Sequence, residues 1–242
     1  KRGDTAGPAT EQPKGATWTA GCSGCSNREL VENLRAAGFI TRQDVYDAML
    51  ATDRANYVPT PCANKGKSDT YIWGPYADAP QSIGSKVTIS APYIHAMTLE
   101  ALAEVITSGG TRVLDVGCGS GILLAYMARM APASCTIVGL EVVGRLADMS
   151  RRNLLADGLF LQGSGGTGPR IEVFQGDGWQ GLPGLGPFDA INVGAGAESV
   201  PEELRRQLAP GGRLLIPIGP EQSTQALTLF GSGCGGGRAL RA

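Results

Sequence analysis

Residues 112–121 read RVLDVGCGSG, a short apolar run that breaks into three glycines separated by single residues. Arg112-Val-Leu-Asp-Val116 has the length and apolar content of a buried strand, and Ile122 to Ala131 that of a packed helix. Between them, Gly117 to Gly121 forms a turn whose backbone amides can approach a ligand that any Cβ would push away. The same grammar continues downstream. Thr136 to Leu140 is a second strand, with a helix from about Arg145 to Ala156, and Gly163 to Gly168 is a glycine-rich turn. Ile171 to Phe174, Phe188 to Val193, Arg213 to Pro217 and Ala226 to Phe230 follow as strands, with a helix at Glu202 to Leu208. Alternation of this kind predicts right-handed crossovers and an α/β, doubly wound, mostly parallel sheet. In that class the ligand lies beyond the carboxyl ends of the strands, at the switch point beside the first one.

The glycine spacing narrows the ligand. A dinucleotide fingerprint wants glycine at the sixth position of the turn, and that position is Ile122. Asp115 precedes the turn, where a carboxylate suits a cationic ligand and repels a diphosphate. Glu141 ends the second strand, placed to accept from both hydroxyls of a ribose. Gly176-Asp177-Gly178 ends the third, where Asp177 can accept from an exocyclic amine such as that of adenine. A ribose, an adenine and a positive centre together describe S-adenosylmethionine, with Gly117, Gly119 and Gly121 of the turn beneath it.

Upstream lies PQSIGSKVTISAP, residues 80–92. Val87, Thr88 and Ile89 read as extended backbone, and Ser90 and Pro92 read as the N-cap and first residue of a helix running through YIHAMTLEALAEVI. The free amides of that first turn predict an anion site. The helix has one apolar side carrying His95, Leu99, Leu102 and Ile106, so its positive end is held still.

At 242 residues with 42% hydrophobic content, one domain over 27–230 is the better reading. Residues 1–26 read as a flexible tail and 231–242 as a glycine-rich end. A helix capped by Asn27 runs to Gly38, a second spans Asp44 to Thr52, and Tyr57 to Tyr76 is a long surface loop with Tyr71, Ile72 and Trp73 as anchors. The net charge of −1 leaves no electrostatic footprint for nucleic acid or an anionic membrane. No apolar run approaches the roughly 20 residues needed to span a bilayer, and no secretory leader opens the sequence. A cytoplasmic monomer is the expectation. The cysteines at 22, 25, 62, 118, 135 and 234 lack a disulfide rhythm, so free thiols are expected and no metal.

LDVGCGSGILLAYMARM, PQSIGSKVTISAPYIHA, FQGDGW, FDAINVGAGA and LAPGGRLLIPIGP resemble the protein-L-isoaspartate (D-aspartate) O-methyltransferase family, as do the N-terminal ENLRAAGFI and MLATDRANYV. The likeness runs from about Arg28 to Pro220. It implies a Rossmann-like S-adenosylmethionine-dependent methyltransferase sheet behind an N-terminal helical subregion. It further implies methylation of the free carboxyl of L-isoaspartyl and D-aspartyl residues in damaged proteins and peptides, with S-adenosyl-L-homocysteine as product. The family's cofactor contacts fall on Gly117, Ser120, Glu141, Gly176, Asp177 and Gly178, and its substrate side on Val87, Thr88, Ile89, Ser90 and His95. Glu141 stands in place of the usual Asp, and Asn192 stands where many members carry His. Such a reaction needs no general base, because a carboxyl with a pKa of about 3.5 to 4 is already ionised. Ser90 is the expected catalytic residue, aligning that carboxylate, and main-chain pairing along Gly84 to Ile89 is the expected mode of substrate recognition. The family continues into a seventh strand that is expected to be missing here. That loss favours an alternative, a non-catalytic homologue that keeps the nucleoside pocket and binds damaged proteins without turnover.

Overall fold

The computed structural model describes residues 22–59, 74–159, 161, 167–220, 225–232 and 236–240. Helices α1 (Asn27–Ala36) and α2 (Gln43–Ala51) lead to a hairpin of β1 (Gln81–Gly84) and β2 (Val87–Ile89), then α3 (Pro92–Ile106). The alternating region follows as β3 (Arg112–Val116), α4 (Ile122–Met130), β4 (Thr136–Glu141), α5 (Gly144–Ala156), β5 (Arg170–Gln175), β6 (Phe188–Val193), α6 (Glu202–Arg206), β7 (Leu208–Ile218), β8 (Ala226–Gly231) and β9 (Arg238–Ala239).

Seven of these strands form one sheet in the order β5-β4-β3-β6-β7-β8-β9. The β5 to β7 ladders are parallel, and β8 and β9 add antiparallel. The doubly wound expectation therefore holds. The order reverses at β3, which lies between β4 and β6, so the switch point falls at the glycine turn. Alternate residues of the central strands enter two cores. Val113, Ile137 and Ala190 face the layer built with α1 to α5, whereas Leu114, Val138 and Ile191 pack with Leu204 of α6. Burial on both faces is why these strands read as continuous apolar runs.

Several expectations need correction. A seventh strand is present: Arg238–Ala239 pairs with Leu229 and Thr228 of β8. Ser26, not Asn27, caps α1 by accepting from the Glu29 amide, while Asn27 donates to the carbonyls of Met49 and Leu50 and so ties α1 to α2. Within the expected tail, Cys22 is buried in the core and the Gly24 amide donates to the Tyr76 carbonyl, so packing begins before residue 27. Residues 1–21 lie outside the described residues, as do Tyr71, Ile72 and Trp73 and most of the Gly163 to Gly168 turn. Cys25, Cys118 and Cys135 are free thiols and Cys22 is buried in the core; Cys62 and Cys234 are outside the description.

The start of α3 differs most. Ala91 is the N-cap residue and makes no side-chain cap bond, with Pro92 in the first turn. Ser90 is not the cap. The Asp78 carboxylate, reaching in from the loop before β1, accepts from the Tyr93 amide at 2.9 Å. Pro92 has no N–H, so the row of free amides expected to bind an anion is largely used up. Gly84, Ser85 and Lys86, expected to be extended, form the hairpin tip with φ of 92°, 54° and 61°. Arg145 Nη2 donates to Ser85 Oγ at 2.8 Å, which fixes that tip to α5.

Candidate functional site

The carboxyl ends of β3, β4 and β6 meet the glycine turn at the switch point. Gly117 and Gly119 take φ of 79° and 53°, which L side chains rarely adopt. A Cβ at Gly117 would meet no atom within 4 Å, so the turn presents bare backbone to open space. Glu141, buried at the end of β4, accepts from the Gly119 amide at 3.0 Å and the Val143 amide at 2.9 Å, clamping turn and strand end together. Asp115, also buried, accepts from Asn192 Nδ2 at 2.7 Å. Burial pushes the Asp115 carboxyl up to about 7, with the Glu141 charge adding to the rise and the Asn192 bond opposing it.

Two adjoining cavities open here, of about 260 Å³ and about 220 Å³, sharing Gly117, Val142, Val193 and Ala195 in their walls. The larger brings together Asp115, Gly117, Gly119, Ser120 and Glu141 with Val87, Thr88, Ile89, Ser90 and His95. The smaller has Asp177 and Gly178 beside Trp179. The expected nucleoside and acceptor residues thus lie in one continuous cleft. The hairpin closes its upper wall, since Ile83 Cδ1 lies within 3.1 Å of where a Gly119 Cβ would stand.

Two expected residues stand apart. A Cβ on Gly121 would lie 2.5 Å from Ser150 Oγ, so this glycine permits α4 to approach α5 and does not face the cleft. Gly176 sits against Leu140, its amide donating to the Glu141 carbonyl, and serves the strand junction. Other lining residues escaped the sequence reading. Asn192 is the partner of Asp115, and Val142 and Trp179, both exposed, border the smaller lobe. The available signal for Val142 was its place directly after the strand-end acid Glu141.

His95 lines the acceptor side, buried, with its ring edge-on to Tyr126 at 5.9 Å. Burial, aided by the nearby Arg54 charge, lowers its pKa to about 3, so the ring is neutral and weakly basic at neutral pH. Its Nδ1 is buried with no hydrogen-bond partner among the described residues. The chemistry available on this side is therefore hydrogen bonding rather than proton abstraction.

The cleft fits S-adenosylmethionine on three observations. The Gly117 backbone leaves room that a Cβ would fill, two buried carboxylates offer negative charge to a cation, and Ser120 Oγ is buried on the larger cavity wall without a partner among the described residues. Asp115, Glu141 and the glycine turn would hold the charged and ribose parts, and Asp177 the base.

Comparison with known proteins agrees with this geometry. The family model for protein-L-isoaspartate(D-aspartate) O-methyltransferase matches residues 25–235. A Caenorhabditis elegans protein-L-isoaspartate O-methyltransferase is 38% identical over 196 residues, covering 81% of this chain and 79% of its own. Protein-L-isoaspartate O-methyltransferase 1 of Arabidopsis thaliana is 42% identical over 196 residues, covering 80% and 77%. A solved Plasmodium falciparum structure of that enzyme type, in complex with S-adenosyl-L-homocysteine, superposes with a TM-score of 0.71 at 34% identity, covering 85% of this chain and 89% of that one. With the glycine turn, the strand-end acids and the hairpin in one cleft, the chain belongs to the protein-L-isoaspartate(D-aspartate) O-methyltransferase family.

Proposed function

We propose that this chain transfers the methyl group of S-adenosyl-L-methionine to the free carboxyl of L-isoaspartyl residues, and of D-aspartyl residues, in damaged proteins and peptides, the first step of their repair. The observation that carries the reading is a single cavity with buried acids and bare glycine backbone at one end and uncharged hydrogen-bonding groups at the other. S-adenosyl-L-methionine, when bound, supplies an electrophilic methyl group. Asp115 and Glu141 supply the negative charge that retains a cation, and Ser120 and the turn amides orient it. On the acceptor side, Ser90 holds one carboxylate oxygen by its hydroxyl, leaving the other free to react. His95, kept neutral by burial, offers a hydrogen bond and does not lock the nucleophile in an ion pair. No proton has to be removed, because the carboxyl is ionised at neutral pH.

Alignment of acceptor and donor accounts for the rate gain expected from such a site. Substrate recognition uses the backbone beside β2, where Thr88 is exposed, and so depends little on the neighbouring side chains of the damaged protein. The non-catalytic alternative drew on a missing seventh strand, and β9 supplies a short one of two residues.

The test is transfer of labelled methyl from S-adenosyl-L-methionine to a short peptide carrying one isoaspartyl residue, beside the same peptide with normal aspartate. Base-labile label on the isoaspartyl peptide alone is expected. Equal labelling of both, or none by a protein that binds S-adenosyl-L-homocysteine, would refute the reading.

A further inference from the structure

Beneath the acceptor side lies a buried cation to which the chemistry above assigns no role. Arg54, in the 3-10 turn Arg54–Asn56 after α2, has no solvent exposure. Its Nη2 donates to the Ser90 carbonyl at 2.9 Å, whereas Nε and Nη1 are buried without hydrogen-bond partners among the described residues. Removing a guanidinium from water is costly unless its charge is put to use.

The charge is kept, since burial lowers the Arg54 pKa only to about 10. The groups facing it are Tyr126 of α4, His95 of α3 and Asp78 of the loop before β1. Tyr126 and His95 are held neutral by burial, while the Asp78 carboxylate, which also accepts from the Tyr93 amide, favours the charged guanidinium. The carbonyl that Arg54 grips shares its peptide unit with the Ala91 N–H. One charge-assisted bond therefore fixes the plane of the peptide joining β2 to α3, and with it the setting of Ser90.

We propose that Arg54 is the positioning residue of the acceptor side: its buried guanidinium fixes the Ser90–Ala91 peptide from behind and draws a substrate carboxylate to Ser90 without touching it. A cation in direct contact would blunt the attacking oxygen. Set back behind one carbonyl, it raises the potential at the acceptor site and leaves that oxygen free. This inference rests on the reading that the Ser90 side receives a carboxylate.

Arg54→Met and Arg54→Lys test it, with KM and kcat for an isoaspartyl peptide, Kd for S-adenosyl-L-homocysteine and a thermal melt on each protein. Arg54→Met is expected to raise KM by about tenfold or more while the cofactor Kd moves less than about threefold. Arg54→Lys is expected to stay near wild type at about pH 6 and to lose peptide affinity as pH rises to about 8.5, because a buried lysine gives up its proton well below its ordinary pKa. The wild-type KM stays flat over that range. A wild-type KM in both variants would overturn the proposal. So would a pH-independent defect common to both, or failure of both to bind S-adenosyl-L-homocysteine, either of which would assign Arg54 to holding the fold. A wild-type protein that binds S-adenosyl-L-homocysteine yet leaves isoaspartyl peptides unmethylated would instead remove the underlying reading, a separate outcome.

Discussion

Asp115 and Asn192 stand opposite each other in register on the neighbouring parallel strands β3 and β6, and Asn192 Nδ2 donates to Asp115 Oδ1 at 2.7 Å. An amide, unlike an imidazole, does not change charge with pH, so this bond steadies the carboxylate without competing with a cationic ligand.

Burial of that carboxylate, against which the Asn192 bond works, bears on the stability of the ligand-free protein. The folded Asp115 pKa of about 7 lies above its unfolded value, so the fold holds an extra proton and loses stability as pH rises from about 4 to 7. His95 acts in the opposite sense. Its folded pKa of about 3 lies below the unfolded value, so its contribution is present above about pH 6.5 and is lost as pH falls toward 3. The two slopes oppose each other between about pH 4 and 6.5. In melting-temperature series, Asp115→Asn should rise more steeply with pH than wild type over that window, and His95→Gln should fall. Parallel curves for all three proteins would contradict both assignments.

Cofactor affinity should depend on the strand-end acids. Glu141→Ala and Asp177→Ala are each expected to weaken S-adenosyl-L-homocysteine by about 1 to 3 kcal/mol, the cost of stranding polar partners. Glu141 should cost more, because its carboxylate also holds the Gly119 and Val143 amides. Titration calorimetry checks the order. Unchanged affinity in both variants would displace the nucleoside from this cleft.

Ser90→Ala should separate chemistry from folding cleanly, since the Ser90 side chain makes no cap bond to α3. The melting temperature should stay near wild type. Single-turnover methylation of an isoaspartyl peptide should fall by roughly 10-fold to 1000-fold, equivalent to about 1.4 to 4 kcal/mol of lost alignment. Full activity in the variant would take the hydroxyl out of the reaction.

The hairpin tip offers a stability gain. Lys86 holds a φ of 61° without being glycine, a conformation that costs an L residue about 1 to 2 kcal/mol. Lys86→Gly removes that strain at a smaller entropic cost, so a net gain of about 0.5 to 1 kcal/mol is expected in denaturant unfolding. A destabilised Lys86→Gly would mean that the lysine side chain carries more than its backbone strain.

The sequence was most readable where one local pattern serves one purpose. Phe188–Val193 was placed to the residue, and the glycine turn with its following helix nearly so, because runs buried on both faces and bare glycines have few other readings. It misled where distant partners intervene. Ser90 has the chemistry of a cap, yet Asp78, 15 residues before Tyr93, takes the amide at the start of α3. Asn27 likewise looks like a cap but is engaged by the carbonyls of α2. Arg54, within an otherwise polar Asp-Arg-Ala-Asn turn, gives no local sign that it will be wholly enclosed. Strand β9 is two residues long beside glycines and has no periodicity to detect, so only its pairing with β8 reveals it.

That small strand has a mechanical role out of proportion to its length. The Leu240 amide, directly after β9, donates to the Leu227 carbonyl at 2.8 Å, and the Leu227 side chain forms part of the larger cavity wall. The outer rim of the sheet is thus coupled by one backbone bond to the chamber where the acceptor is placed. Proline at 240 would remove that donor and loosen the wall, whereas any other residue there keeps the bond, so this rim is held by backbone and not by side-chain identity.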